Sequence, residues 1–267
     1  MNPTLQNFLP FLPVWLMVLF RLTGLFVLAP LFGSASIPGR VRILWAVAMS
    51  LCIFPVLMSR PESSQLIQPM IDAPLSLWLL PAAIAMELAI GTLIGYGASM
   101  AMIGLQVAGH VADQQVGLGL AGVFNPELNA ETGIIGEFYF IMGMMIFLML
   151  GGDRMMLTTL LHSFDRVPLG SFAPDGYTLE LLVGLLSSMF EMAIRVAAPL
   201  LCLIFLETVA MGFIARTVPQ MNILSIGFPL RILLGIGILT ASLSGHANVF
   251  TQTMYEHMIA VEHYFGR

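Results

Sequence analysis

Apolar residues run along this chain in long blocks with no alternation of apolar and polar positions. The first block extends from about Phe8 to Phe32, with Arg21 inside it and Pro30 near its end. The second, Ile43 to Met58, is short for a full membrane crossing, and the third runs from Pro74 to about Gly109 with Glu87 in its first half. The fourth, Ile134 to Gly152, carries Glu137 near its start and closes on Gly151-Gly152-Asp153-Arg154. The fifth, Thr178 to about Ile214, holds Glu191, Arg195 and Glu207; the sixth, about Leu224 to Val249, holds Arg231 and leads into a more polar tail from Gln252 to Arg267. A helix needs roughly 20 apolar residues to cross hydrocarbon. Strands of a membrane barrel would alternate with period two, and none of these blocks does. Inside a bilayer the backbone must satisfy its own hydrogen bonds, which leaves helices. The pattern therefore predicts an all-α, polytopic membrane-type fold of about six interrupted hydrophobic helices.

Between the blocks lie turn and helix-start residues. The link Gly33 to Arg42 contains Ser34, Ser36, Pro38 and Gly39; the stretch Ser59 to Ala73, with Pro61 and Pro69, is the clearest linker; Asp165 to Tyr177 holds Pro168, Gly170, Pro174 and Gly176. No internal repeat and no separate polar domain is visible, so residues 1–267 read as a single membrane domain. The opening Met1-Asn2-Pro3 has no basic run, and Pro10 and Pro13 interrupt the first apolar stretch. It does not read as a cleaved signal peptide.

Composition agrees with the pattern. Of 267 residues, 58% are hydrophobic and 9% charged, against roughly 25% charged in an ordinary soluble domain. Too little polar surface remains to cover a globule in water. The net charge of −5 is spread thinly, with no basic run for nucleic acid or anionic headgroups. All ten basic residues are Arg, the more weakly hydrated cation and a rigid fork of donors suited to buried pairing. Arginines divide almost evenly between alternate connections, so the positive-inside rule assigns no orientation.

Charge inside the blocks changes the picture most. A charge at mid-bilayer costs about 2.5–3.5 kcal/mol on insertion scales. Arg21, Glu87, Glu137, Glu191, Arg195, Glu207 and Arg231 all sit in apolar surroundings. Glu191 and Arg195 are spaced i, i+4 with the acid first, so one helix face can hold them as a pair; Glu87 and Glu207 have no local partner. Glu87, Glu191, Arg195, Glu207 and Arg231 are therefore expected to be buried charges of structural role, shielded by other polypeptides or by an aqueous path. That favours a subunit of an assembly.

The stretch His110 to Gly133 is the second anomaly. Gln114-Gln115-Val116-Gly117-Leu118-Gly119-Leu120-Ala121-Gly122-Val123-Phe124-Asn125-Pro126 lies between two membrane-grade blocks. Gly117, Gly119 and Gly122 each lower helix propensity by roughly 1 kcal/mol relative to Ala, and Asn125-Pro126 breaks what helix remains. Yet its Val, Leu and Phe residues are too apolar for a solvated loop. Irregular apolar backbone survives at membrane depth where protein buries it or where it lines a cavity, and such breaks are where transporters bind and channels gate. The same glycines spell G-x-G-x-x-G, but without the soluble βαβ context of a dinucleotide site. No zincin, nucleophile-elbow or P-loop motif is present. His110 and Asp113 on one helix face, and His257 and His263 near the end, read as polar helix-end residues. Cys52 and Cys202 lie in separate apolar runs and form neither a disulfide framework nor a metal site. The sequence thus predicts no enzyme, no cofactor and no metal.

Two motifs carry a family resemblance. One is Gln106-x-x-Gly109…Asp113-x-Gln115-x-Gly117…Phe124-Asn125-Pro126. The other is Arg216-x-x-Pro219-Gln220-Met221-Asn222-x-x-x-x-Gly227-Phe228-Pro229-Leu230. With Ala29-Pro30, Phe32, Ile37-Pro38 and Arg40-Val41 near the start, nearly the whole chain resembles the FliR family, the R proteins of the flagellar export gate and their counterparts in type III injectisomes. The resemblance implies a single subunit in a hetero-oligomer with several copies of the P and Q gate proteins, with the B switch protein of the gate as a further partner. It implies a place in the bacterial inner membrane at the flagellar basal body, and unfolded secreted proteins as substrates. It also implies that a mid-chain segment, about 110–133, plugs the path at rest. Gln115, Gly117, Gly119, Leu120, Gly122, Val123, Phe124, Asn125 and Pro126 would belong to this plug, with Leu120, Val123 and Phe124 as its bulky side chains. The family often carries more aromatics there than the single Phe124 of this chain. Arg216, Pro219, Gln220 and Asn222 would sit in a polar hairpin between the last two helices, leading to Gly227, Phe228 and Pro229, in a structural or subunit-contacting role. The alternative function is an independent secondary transporter with Glu87 or Glu207 as its intramembrane carboxylate.

Overall fold

The structure, a computed structural model, describes residues 11–33, 37–60, 64–65, 67–68, 78–117, 133–218 and 223–265. Seven helices carry the fold among them: α1 (Leu12–Leu28), α2 (Gly39–Ser59), α3 (Leu80–Val116), α4 (Ile134–Met149), α5 (Gly152–Arg166), α6 (Gly176–Thr217) and α7 (Ile223–Phe265). Four of these, α2, α3, α6 and α7, are long and apolar enough to cross a membrane, and five spans result if α4 and α5 count as one broken span. The protein is all-helical and of polytopic membrane type, as its hydropathy predicts.

Three boundaries differ from those read off the sequence. First, α3 continues through His110 to Val116, where no Gly or Pro interrupts it before Gly117. Second, residues after Gly152 form a helix of their own. Gly151, at φ 69°, turns the chain in a left-handed conformation open to glycine. α5 then buries Met156, Thr159, Leu160, Ser163 and Phe164 at helical spacing. Its exposed face is polar, so it forms no apolar block. Third, the polar tail continues α7, with Phe250, Met254, His257, Met258, Val261 and Phe265 buried three or four residues apart.

The chain divides into two compact units: Met1–Ser99 with Gly151–Leu185 and Glu256–Arg267, and Met100–Leu150 with Leu186–Tyr255. In the first, α1 crosses α3 with backbone nearly touching backbone. A Cβ built on Gly91 would lie within 1.9 Å of the Arg21 carbonyl oxygen, and one on Gly24 within 2.3 Å of the Leu88 carbonyl oxygen. Gly91 and Gly95 form a small-xxx-small pair of the kind that lets membrane helices approach closely. α2 packs on α1, with Phe26, Phe32 and Trp45 in tilted ring contact. At the start of α6, Asp175 Oδ1 accepts from the Thr178 amide (2.9 Å) and hydroxyl (3.0 Å), and that hydroxyl also meets Tyr264 Oη. The Thr178 amide holds the Asp175 carboxyl below the usual carboxylate range.

In the second unit, small residues again set the spacing. Gly104 of α3 faces Met189 and Met192 of α6, and Gly143 of α4 faces Met102 and Leu105 of α3. The flexible thioethers fill these irregular gaps. Tyr139 Oη and His246 Nδ1, both buried, lie 2.7 Å apart and join α4 to α7.

Candidate functional site

Six of the seven charges inside the apolar blocks form ion pairs. Arg21 and Glu87 are both 0% exposed, and Arg21 Nε donates to Glu87 Oε2 at 2.5 Å. Arg21 also donates to Ser163 Oγ (3.1 Å) and the Val167 carbonyl (3.3 Å), with its guanidinium carbon 4.2 Å from the centre of the Phe164 ring. Glu87 Oε1 accepts the Gly170 amide at 2.7 Å. Gly170, at φ 72°, makes the turn that presents this amide. The cluster ties α1, α3, α5 and the following turn together within the first unit. A buried ion pair offsets its desolvation only when its remaining donors and acceptors are met. Here they are.

Glu207, also buried, accepts two bonds from Arg231, from Nε at 3.1 Å and from Nη2 at 3.0 Å. Arg231 Nη2 donates as well to Thr208 Oγ1 at 2.9 Å. This pair joins α6 to α7 within the second unit. It lines a cavity of about 320 Å³ together with Thr208, Met211, Gly212, Ala215, Gly227 and Phe228. Replacing Arg231 by Met should leave a buried carboxylate without its cation and cost about 1–3 kcal/mol, read as a lower unfolding midpoint in detergent. An unchanged midpoint would mean that Glu207 is hydrated in the protein.

Glu191 and Arg195 form the expected i, i+4 pair, Arg195 Nη2 donating to Glu191 Oε1 at 2.7 Å, but they are not buried. Their side chains are 69% and 55% exposed, on a face of α6 that also bares Phe190 and Ile194. Being four residues apart on one helix, they need no second helix to meet. Glu137 is exposed in the first turn of α4, where the positive end of the helix dipole favours an acid.

Parts of the two sequence motifs come together in the second unit. At Gly117, φ 89° ends α3 in a conformation that disfavours any side chain, and a Cβ there would lie 2.8 Å from the Phe228 ring. Just before it, Val116 packs against Gly235. Gly227, Phe228 and Pro229 lie near the start of α7, Arg216 in the exposed last turn of α6, and Gln115 on the surface of α3. Of the other plug residues, Gly119, Leu120, Gly122, Val123, Phe124, Asn125 and Pro126 lie outside the described residues, as do Pro219, Gln220 and Asn222.

Asp113 has a part that its sequence neighbours did not disclose. Its side chain is buried, and its two oxygens accept the amides of Ile135 (3.0 Å) and Gly136 (2.9 Å). The N-cap of α4 is Gly133, which has no side chain to cap with, so the cap is supplied from α3.

A family model described as "Bacterial export proteins, family 1" matches residues 12–257. The chain belongs to this family. Among its relatives, the flagellar biosynthetic protein FliR of Bacillus subtilis is 28% identical over 243 residues, 90% of each chain. FliR of Escherichia coli is 25% identical, over 89% of this chain and 87% of its own length. The Yop proteins translocation protein T of Yersinia pestis is 27% identical, over 79% and 78%. As a bacterial export protein, this chain is a component of protein export. The transporter reading loses its footing, since both carboxylates it would use, Glu87 and Glu207, are committed to arginines.

Proposed function

We propose that this chain is the R-type subunit of a type III export gate, in the bacterial inner membrane at the base of the flagellum. One copy works there with several copies of the P- and Q-type gate proteins and with the B-type switch protein. Together they pass unfolded flagellar proteins, and the whole chain acts as one gate domain. The segment entered at Gly117 is the plug that closes the path between substrates.

The observation that carries this reading is the junction of the two motifs. The plug segment departs from a glycine at φ 89°, seated under Phe228 of the second motif. The exposed faces support the partners. On α7, Gly237, Ala241 and Gly245 lie on one uncovered stripe, with nothing within 4 Å of a Cβ built on either glycine. Stripes of small residues admit close helix approach, and an ion pair such as Glu191–Arg195 is better covered by protein than by lipid.

A plug must be apolar enough to dewet a constriction and able to move when substrate arrives. Changing Gly117, Gly119 and Gly122 to Ala should reduce secretion of flagellar proteins. Deletions within Leu118 to Phe124 should make the resting membrane leak ions. Unchanged secretion and unchanged leak in both sets would remove the plug. Purification in mild detergent should bring down one copy of this chain with several copies of two smaller membrane proteins, and a lone chain would remove the gate.

A further inference from the structure

A second cavity lies within the first unit, where the end of α1 meets the beginnings of α2 and α5. It measures about 190 Å³ and is walled in part by Phe26, Phe32, Trp45, Met49 and Met156, with Asp153 among them. Phe26 is in the last turn of α1, Phe32 just beyond it, and Trp45 in the second turn of α2. Their rings form a connected wall, with centroids 4.6 Å apart for Phe26 and Phe32 and 6.1 Å apart for Phe32 and Trp45. Trp45 is half-exposed, which leaves this wall within reach from outside.

Asp153 is the charged residue of this otherwise apolar lining. It stands in the first turn of α5, where the helix dipole favours an acid. Among the described residues its carboxylate has no hydrogen-bond or ion-pair partner. A wholly apolar cavity stays dry and takes an apolar guest; a carboxylate on the wall changes that choice. An anion would be repelled, and a neutral apolar guest would strip water from the acid without replacing it. A hard metal ion needs several oxygen ligands, and no group of three His, Cys, Asp or Glu residues stands together among the described residues. Aromatic faces and one acid suit a weakly hydrated organic cation, which the rings attract through their quadrupoles and the acid through its charge. A single water needs about 10–15 Å³ of such space, so a group of several heavy atoms fits.

We propose that this cavity binds an organic ammonium group, held against Phe26, Phe32 and Trp45 with Asp153 as its counter-charge. Its source is a free amine or the headgroup of an aminophospholipid. The position suits both, because Trp side chains near the ends of membrane helices lie at the level of lipid headgroups. The site stands apart from the gate reading, since it uses no residue of the two sequence motifs on which that reading rests.

The test uses the full chain purified in dodecyl maltoside, a detergent without an ammonium group. Trp15→Phe and Trp78→Phe leave Trp45 as the sole indole. Choline chloride is titrated at constant ionic strength while Trp45 emission is followed. The uncharged alcohol in which carbon replaces the choline nitrogen is titrated alongside. Choline should change the emission saturably, and the alcohol should bind more weakly by about tenfold or more. Asp153→Asn and Phe32→Leu should each weaken choline binding by about tenfold, with unfolding midpoints near that of the parent. Glu180→Gln, at an exposed acid of the same unit, should change nothing. Mixed micelles then separate the sources. Competition with choline by phosphatidylethanolamine but not by diacylglycerol assigns the site to the headgroup, and competition by neither assigns it to a free amine.

A response to choline that never saturates would overturn the proposal. So would equal binding of the alcohol, which would make the cavity merely apolar, or unchanged choline binding in Asp153→Asn. If Phe32→Leu does not fold, Asp153→Asn and the alcohol decide alone.

Discussion

Glu87→Ala should leave almost no folded protein, while Arg21→Met/Glu87→Leu together should restore most of it. Removing one partner of a buried ion pair costs about 3–5 kcal/mol, because the other charge stays buried and uncompensated. Domain stabilities are about 5–15 kcal/mol in total. Arg21, at 0% exposure, would keep Ser163 Oγ and the Val167 carbonyl as acceptors but would have no counter-charge. The Gly170 amide would also lose its acceptor. Replacing both charges with apolar side chains of similar size is often neutral or stabilising. The check is the yield and unfolding midpoint of protein purified in detergent. A double variant as unstable as Glu87→Ala would show that the polar cluster is required for its own sake.

The second large effect is steric. Gly91→Val should separate α1 from α3 and abolish folding, since even the first added carbon falls within 1.9 Å of a backbone oxygen. Over-packing a core usually costs about 1–3 kcal/mol, because side chains shift aside. Here the obstacle is main chain on both sides of the contact, with a Cβ on Gly24 also only 2.3 Å from the Leu88 carbonyl oxygen, so relief requires moving a helix. Gly184→Ala and Gly212→Ala, where nothing lies within 4 Å, form the control. They should be neutral or gain up to about 1 kcal/mol in helix propensity. A folded Gly91→Val protein with a normal midpoint would contradict the close crossing.

Fold class was legible because a bilayer leaves few solutions for a chain this apolar. Local pairs were legible for the same kind of reason. Glu191 and Arg195 sit one turn apart, and spacing alone brings them together. Their exposure was not legible, because burial depends on which other helices cover that face. Arg21 and Glu87 are 66 positions apart, so their pairing appears only once α1 and α3 have crossed. The crossing itself left a trace in the spacing of Gly91 and Gly95 within an apolar run. Asp113 read as a polar residue near a helix end, and that placement was sound. Its acceptors' targets lie 22 and 23 positions downstream, beyond any local rule. α5 makes no apolar block in the sequence because half of it is polar, although Met156, Leu160 and Ser163 keep helical spacing.

The Asp113 bonds also set a length. Residues 118–132 lie between the exit of α3 and the cap of α4, about 15 residues in all. A strand tethered at one end could extend about 3.4 Å per residue, roughly 50 Å. A segment of that length whose two ends are held close together can reach no more than roughly 25 Å from them. On the proposed plug reading, the widest opening this segment could seal by itself is set by the count of residues between Gly117 and Gly133. Each pair of residues inserted there would extend the reach by about 3.4 Å.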